Sequence, residues 1–424
     1  MKKIILSVAT ATLLTLPISA SEVDLLKQQL SELTKRLSTL ESKEKVNSET
    51  TMSLTEELSN IQNESSFTKV DSENTQIGLG EAASKVYYSK SPLSIGGYGE
   101  MYFAKRYDRD SDKTDTYRFI PYFGYKFTDN IILNTEIEFE HGGDTVAIEF
   151  MYLDFLINEN FNLRVGNQLV PMGLVNERHE PTLFNTVQRP ETERYVIPST
   201  WHETGVIAYG SVSDFEYQIG SIVALDMINS GTNVDDGSWI RDARIGSKSK
   251  DVRNMAAVAR VDYKAIKGLD VGISGYAGNA GADSTTVGSE GLVTIYDIHA
   301  QYQNNNFALK ALYASTSLSN ASSYSDKASS SSDGGYINAE YNILPMFSNS
   351  TQRLPIFAQY EQYNPRSTAV DGSSYDDIKI TTIGANYFPT EQVVLKLDYQ
   401  SRDNDVTNSK KSENTLSFGL GFIF

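Results

Sequence analysis

The sequence predicts an all-β fold, a transmembrane antiparallel β-barrel of sixteen strands, preceded by an N-terminal α-helical coiled coil. Three observations carry this expectation. Side chains alternate with a period of two from Leu93 to the last residue, leucines repeat every three and four positions between Val23 and Leu40, and the first twenty residues read as an export leader.

Composition narrows the function before any motif does. The chain has 424 residues and no Cys, which removes disulfide scaffolds, thiolate metal sites and Cys nucleophiles together. Its 37 basic residues against 54 acidic ones give a net charge of -17, and a nucleic-acid binder needs the opposite balance. No apolar run of 18 residues occurs beyond the leader, so no transmembrane helix is available.

Residues 1-20, MKKIILSVATATLLTLPISA, place two lysines before a short apolar core, a Pro and small residues, the order of a signal peptide cut after Ala20. Losing Lys2 and Lys3 with it leaves 35 basic residues against 54, a net charge of -19. In residues 21-61, Val23, Leu26, Leu30, Leu33, Leu37 and Leu40 form an a/d seam. Leu54, Leu58 and Ile61 continue it across the polar positions Glu44, Asn47 and Thr51. A seam cannot bury itself, so the segment predicts trimerisation through a coiled coil, with an amphipathic helix on another surface as the alternative. Residues 62-92 carry no clean period and read as a linker ending at Pro92.

Residues 93-424 form the barrel. Ile131, Leu133, Thr135, Ile137 and Phe139 alternate with Ile132, Asn134, Glu136, Glu138 and Glu140, a greasy row back to back with a carboxylate row. Counting such segments places strands near 93-104, 117-127, 131-141, 145-157, 160-169, 203-212, 215-226, 253-264, 269-278, 291-303, 307-316, 335-344, 353-363, 376-388, 392-402 and 413-424. Connections after even strands are mostly short and those after odd strands long, notably 170-202, 227-252 and 317-334. A soluble sandwich would show the same period with its apolar face buried. The leader, and 25 Tyr and 18 Phe suited to interfacial girdles, favour the membrane barrel.

The stretch Leu163-Arg164-Val165-Gly166-Asn167-Gln168-Leu169-Val170-Pro171-Met172-Gly173-Leu174-Val175-Asn176-Glu177 resembles a segment of the phosphate-selective porin O/P-like family. Met151-Tyr152-Leu153-Asp154-Phe155 upstream is similar to the strand that precedes it there, and Gln188 to Arg194 with Thr204-Gly205-Val206 to its loop and return strand. The resemblance implies a trimeric sixteen-stranded porin whose loops fold into the pore. That family carries a run of arginines on its second strand, whereas Thr116-Tyr117-Arg118-Phe119 leaves Arg118 alone. The terminal Phe424 resembles the assembly signal of outer-membrane barrels, implying the barrel assembly machinery as a partner.

With the greasy rows facing lipid, the inward acids are Glu100, Glu136, Glu138, Glu140, Asp154, Glu216, Asp262, Asp270, Asp297, Glu340, Glu361 and Asp398. The inward bases are Arg118, Lys126, Arg164, Arg260, Lys264, Lys310, Lys379 and Lys396. The excess of acids predicts a weak cation preference. In the 170-202 loop, Glu177, Arg178, Arg189, Glu191, Glu193 and Arg194 are candidates, with Arg118 and Arg164, for a constriction that contacts solute. A solvated outer loop is the alternative. A second charged loop carries Arg241, Arg244, Lys248, Lys250 and Arg253, and the alternatives for it are collecting anions at the mouth, binding lipopolysaccharide phosphates, or no specific role. Asp297 and His299 share a strand face, without any nucleophile motif beside them. The four His, at 141, 179, 202 and 299, show no metal-ligand spacing, and no cofactor fingerprint occurs.

The expectation is therefore an outer-membrane porin, no enzyme, passing small hydrophilic solutes or ions with its coiled coil in the periplasm and outer-membrane lipids around it. The alternatives are an anion or phosphate porin, as the resemblance implies, and a structural tether acting through the coiled coil.

Overall fold

A computed structural model describes residues 24, 27-43, 45, 52, 69-71, 74-228, 232-281, 290-375, 377-404 and 413-424. The chain divides into two units, Met1–Phe67 and Thr68–Phe424. In the first, residues 27-43 are helical, with Glu32 and Arg36 paired one turn apart at 3.6 Å. Leu30, Leu33, Leu37 and Leu40 are between 58% and 70% exposed. The leader, Val23, Leu26, Leu54, Leu58 and Ile61 lie outside the described residues.

The second unit is a closed antiparallel barrel of sixteen strands. In chain order they are β1 Leu93–Arg106, β2 Lys113–Thr128, β3 Ile131–Glu140, β4 Thr145–Asn158, β5 Phe161–Leu169, β6 His202–Val212, β7 Phe215–Val223 and β8 Met255–Ile266. Then follow β9 Leu269–Asn279, β10 Leu292–Asn304, β11 Phe307–Leu318, β12 Ser329–Asn342, β13 Pro355–Ala369, β14 Ile378–Thr390, β15 Val393–Asn404 and β16 Glu413–Ile423. Each strand pairs with its sequence neighbours, and β1 closes on β16 with Tyr98 opposite Ile423 and Arg106 opposite Thr415. Closure leaves no free edge to hydrogen-bond in lipid.

Alternation sorts the side chains as expected. Ile95, Phe123, Ile219, Ile273, Ile298, Ile337, Ile383 and Phe418 are exposed on the outer face, where lipid would cover them. Lys379 is a correction to the inward set. It shares the outward parity of Thr381 and Ile383, while Ile380 and Thr382 turn inward. Ile380 packs into the apolar cluster inside the barrel, and that contact fixes the register.

Six of the seven even-strand connections are tight two-residue turns. The exception, residues 343-354 between β12 and β13, is longer and holds a 3-10 turn at Leu344–Met346. Ser213 and Asn305 take positive φ, 55° and 50°, as tight hairpins require.

The interior is filled from both ends. Residues 74-92, expected to be a linker, instead fold back under the turn rim. Leu79, Ala82 and Ala83 pack there against Tyr98, Ile120, Tyr122, Phe150, Tyr152 and Ile423 of the inner wall. From the other rim, loops 170-201 and 224-254 bring in Val170, Met172, Ile197, Leu225 and both tryptophans, Trp201 and Trp239. They pack on Ile222, Val258, Tyr276, Ile295, Leu312 and Tyr336. Apolar loop residues thus leave water inside the barrel instead of against its lipid face.

Candidate functional site: the occupied lumen

Loop 170-201 follows β5 and turns inward, where groups on eight strands meet it. Asp297 on β10 accepts the Gly173 amide at 2.9 Å, and Arg260 on β8 donates to the Gly173 carbonyl at 2.5 Å. Lys310 on β11 donates to the Leu183 carbonyl at 2.5 Å. On β15, Lys396 donates to the Phe184 and Thr186 carbonyls at 2.7 and 3.0 Å, and Asp398 accepts the Val187 amide at 2.6 Å. Glu361 on β13 takes the Thr192 amide at 2.5 Å, and the Tyr336 hydroxyl on β12 donates to Glu193 at 2.5 Å. Asn386 on β14 donates to the Asn185 carbonyl at 3.0 Å, and His179 faces Glu136 on β3 at 3.1 Å. Backbone amides and carbonyls carried into a confined interior need such partners.

The segment before β1 is held the same way. Glu180 accepts the Ala82 and Ala83 amides at 3.0 Å each, Asn134 donates to the Ala83 carbonyl at 2.8 Å, and Tyr87 donates to Asp154 at 2.7 Å. Gly80 allows this approach, since a Cβ there would lie 2.4 Å from a Glu180 carboxylate oxygen.

The two wall arginines stand in different surroundings. Arg118 on β2 is clasped by Glu100 at 2.9 Å, Glu138 at 3.2 Å and Glu140 at 2.8 Å. Arg164 on β5 pairs with Asp154 at 3.2 Å, donates to the Ile77 carbonyl at 3.1 Å and sits between the Tyr152 and Tyr209 rings. It is covered by the segment that precedes β1.

Three cavities flank these contacts. One of about 390 Å³, on the loop rim, is lined by Arg118, Glu138, Glu140, Glu149, Arg241, Arg244, Lys248 and Lys250. Another of about 510 Å³, opening toward the turn rim, is lined by Arg178, Phe184, Lys310, Glu340, Arg353 and Glu391. A smaller one of about 80 Å³ lies between residues 75-79, Arg178 and Arg260.

Burial also tunes the loop's titratable groups. It lowers the His179 imidazole to about 4, with the nearby Arg189 acting in the same direction. Glu193 is raised above the ordinary carboxylate value by burial, against the pull of its hydrogen bonds. Arg241 is brought down to about 9 by burial and the adjacent Arg244, and it stays charged at neutral pH.

Residues 122-424 match the family described as phosphate-selective porin O and P. The chain belongs to this family. An uncharacterised protein of Aquifex aeolicus (strain VF5) is 34% identical to this porin over 367 residues, 78% of this chain and 81% of that protein. In fold, this porin is similar to the anion-selective porin from Comamonas acidovorans, with a TM-score of 0.53 and 12% identity across 78% of this chain and 99% of that one. It is also similar to the trimer form of in-vitro folded OmpT of Vibrio cholerae, with a TM-score of 0.50 and 13% identity across 78% and 99% of the two chains. Family and fold indicate an outer-membrane channel rather than an enzyme.

Within this porin the residues expected at a constriction do not form one ring. Arg118 and Arg189 converge on Glu100, at 2.9 and 3.8 Å. Glu177 faces Arg260 at 3.6 Å, and Arg178 borders two cavities. Glu191 is bound by Arg402 and the Tyr363 hydroxyl, Glu193 is buried against Tyr336, and Arg194 is exposed over the Tyr195 ring. The expected wall residues Asp297, Lys310, Lys396 and Asp398 are inward, and each holds the loop. His299 links Asp297 at 2.6 Å to Asp262 at 2.8 Å beside Arg260.

Glu149 escaped the reading by alternation. A bulge in β4 sets Phe150 opposite Glu136 and Ile148 opposite Ile137, so Glu149 and Phe150 are both buried in succession. A strict period of two assigns only one of them inward.

Proposed function

We propose that this porin passes small hydrophilic anions by diffusion, drawn in by basic residues at its loop rim. The observation that carries this reading is the pairing of charges in the 390 Å³ cavity. Of its four acids, Glu138 and Glu140 are engaged by Arg118, and Glu149 and Asp242 form no ion pair with Arg241 or Arg244. Arg241 and Arg244 donate instead to backbone carbonyls of Pro198, Ser199 and Thr200. Among the described residues, neither of these arginines, nor Lys248 or Lys250, forms an ion pair. Four cations free of ion pairs in a confined mouth raise the local anion concentration. The inward excess of acids, the basis for a cation preference, carries less weight because most of those carboxylates already hold arginines or loop amides.

The test is the zero-current potential across a potassium chloride gradient in planar bilayers. Wild type should favour chloride, and the double variant Arg241→Gln/Arg244→Gln should lose that preference or reverse it. Cation preference in the wild type would return the reading to the acid count. Adding phosphate to the same bilayers separates a general anion channel from one that phosphate blocks at low concentration.

The same reading takes the chain as a homotrimer, supported by the uncovered leucines of residues 27-43 and by the trimer form of the OmpT fold relative. It places the coiled coil in the periplasm after removal of residues 1-20 and insertion by the barrel assembly machinery. Phe424 serves as the signal for that insertion.

A further inference from the structure

Glu136 on β3, Glu149 on β4 and His179 on the inward loop bring two carboxylate oxygens and an imidazole nitrogen together, all within 4.8 Å of one another. The His179 Nε2 atom lies 3.1 Å from Glu136 Oε1 and 3.5 Å from Glu149 Oε2. All three residues are buried, at 0%, 3% and 2% exposure in that order. One oxygen of each carboxylate, Oε2, has no hydrogen-bond partner.

The other imidazole nitrogen decides what this cluster can hold. Nδ1 sits 2.8 Å from the Asn176 carbonyl, so it is the nitrogen that carries the proton of a neutral ring. Nε2 then presents a lone pair toward two carboxylates, and three electron-rich groups face one another in a buried space. Such an arrangement is stable only with a cation or an extra proton among them. A backbone carbonyl on Nδ1 is also the usual orienting partner of a metal-binding histidine.

We propose that Glu136, Glu149 and His179 bind a divalent transition-metal cation of the zinc type, fastening the inward loop to β3 and β4. A tetrahedral zinc with ligands at about 2.0–2.1 Å places those ligands roughly 3.3 Å apart, and the observed separations of 3.1 and 3.5 Å bracket this value. Imidazole with two carboxylates suits zinc, cobalt or manganese, whereas calcium or magnesium would demand more oxygens than converge here. Two carboxylates and a dication cancel in charge, while Arg118 is already matched by Glu100, Glu138 and Glu140. Glu149 also borders the cavity on the loop rim, which supplies an entry path and room for a water at the remaining position. The ligands come from three separate segments, so no local spacing in the sequence announces them. The inference does not depend on the sign of ion selectivity.

The experiment uses the untagged full chain without its leader, stripped with chelator and titrated with Co²⁺ in detergent. The expected result is one Co²⁺ per chain, with the visible absorption of a four- or five-coordinate nitrogen and oxygen site, displaced by Zn²⁺. His179→Asn and Glu149→Gln should each weaken binding roughly tenfold or more. The gel mobility of the unheated barrel reports whether each variant is folded. Wild-type protein that takes up no Co²⁺, as expected if a shared proton holds the cluster, overturns the proposal without reference to any variant. Unchanged affinity in both folded variants overturns it as well.

Discussion

At Glu193 one carboxylate oxygen accepts the Leu174 and Val175 amides, at 2.9 and 2.6 Å, and the other accepts the Tyr336 hydroxyl. Burial disfavours the charged form, so the folded group titrates above the 4.5 of the unfolded one. Between the two values the folded chain holds more proton than the unfolded chain, and stability therefore falls as pH rises. The contribution is fully present below 4.5, declines as pH climbs through the raised folded value and is constant beyond it. Wild type should lose stability relative to Glu193→Gln over that window, as read from urea midpoints in detergent at a series of pH values. Parallel midpoints would show that the site carries no such linkage. The sequence made Glu193 visible as a charged residue in an inward loop, but its partner Tyr336 lies 143 residues away. Nothing local encodes such a pairing, and the same holds for Glu191 with Arg402.

The seam between β1 and β16 shows what an element demands of single positions. Phe424 exchanges two backbone hydrogen bonds with Gly97, at 2.9 and 3.0 Å, and stacks its ring on Phe119. Gly97 has a φ of 152°, and a Cβ there would meet the Ile120 carbonyl and the Phe424 ring. Gly97→Ala should therefore cost on the order of 1–3 kcal/mol. Deleting Phe424 should remove about 1 kcal/mol per hydrogen bond and lower the outer-membrane yield, read as heat-modifiable barrel in membrane fractions. Normal yield after the deletion would make this Phe ordinary strand packing.

Strands that alternate greasy and polar residues were legible to within a few positions, because lipid on one side and lumen on the other enforce the pattern. β12 starts earlier than predicted, at Ser329, since its serines extend beyond any greasy row and read as loop. Residues 74-92 were missed for a related reason. Their burial depends on Glu180, Asn134 and Asp154 rather than on a period of their own. Replacing 74-88 with a Gly/Ser tether should raise single-channel conductance, and unchanged conductance would mean that this segment does not limit flow.

For the whole molecule, the change of period at Leu93 divides the chain by what each part needs around it. The barrel closes on itself and can exist as one copy, whereas the leucine stripe of residues 27-43 has nothing among the described residues of its own unit to cover it. A single helix of that length is marginal in water, and its leucines gain stability only against other helices. In a homotrimer, three stripes joined to three barrels would meet at high effective concentration, so each contact would strengthen the other. The full chain should accordingly run as a trimer that dissociates on heating, by mass measurement in detergent and by gel mobility. A chain beginning at Thr68 should keep the barrel but dissociate at a lower temperature. Asn47, at a d position of the seam, should fix register at some cost in stability, so Asn47→Leu should raise the dissociation temperature while admitting other oligomers. A full chain that is monomeric in detergent would sink the coiled-coil reading, and the exposed leucines would then need a partner other than copies of this chain.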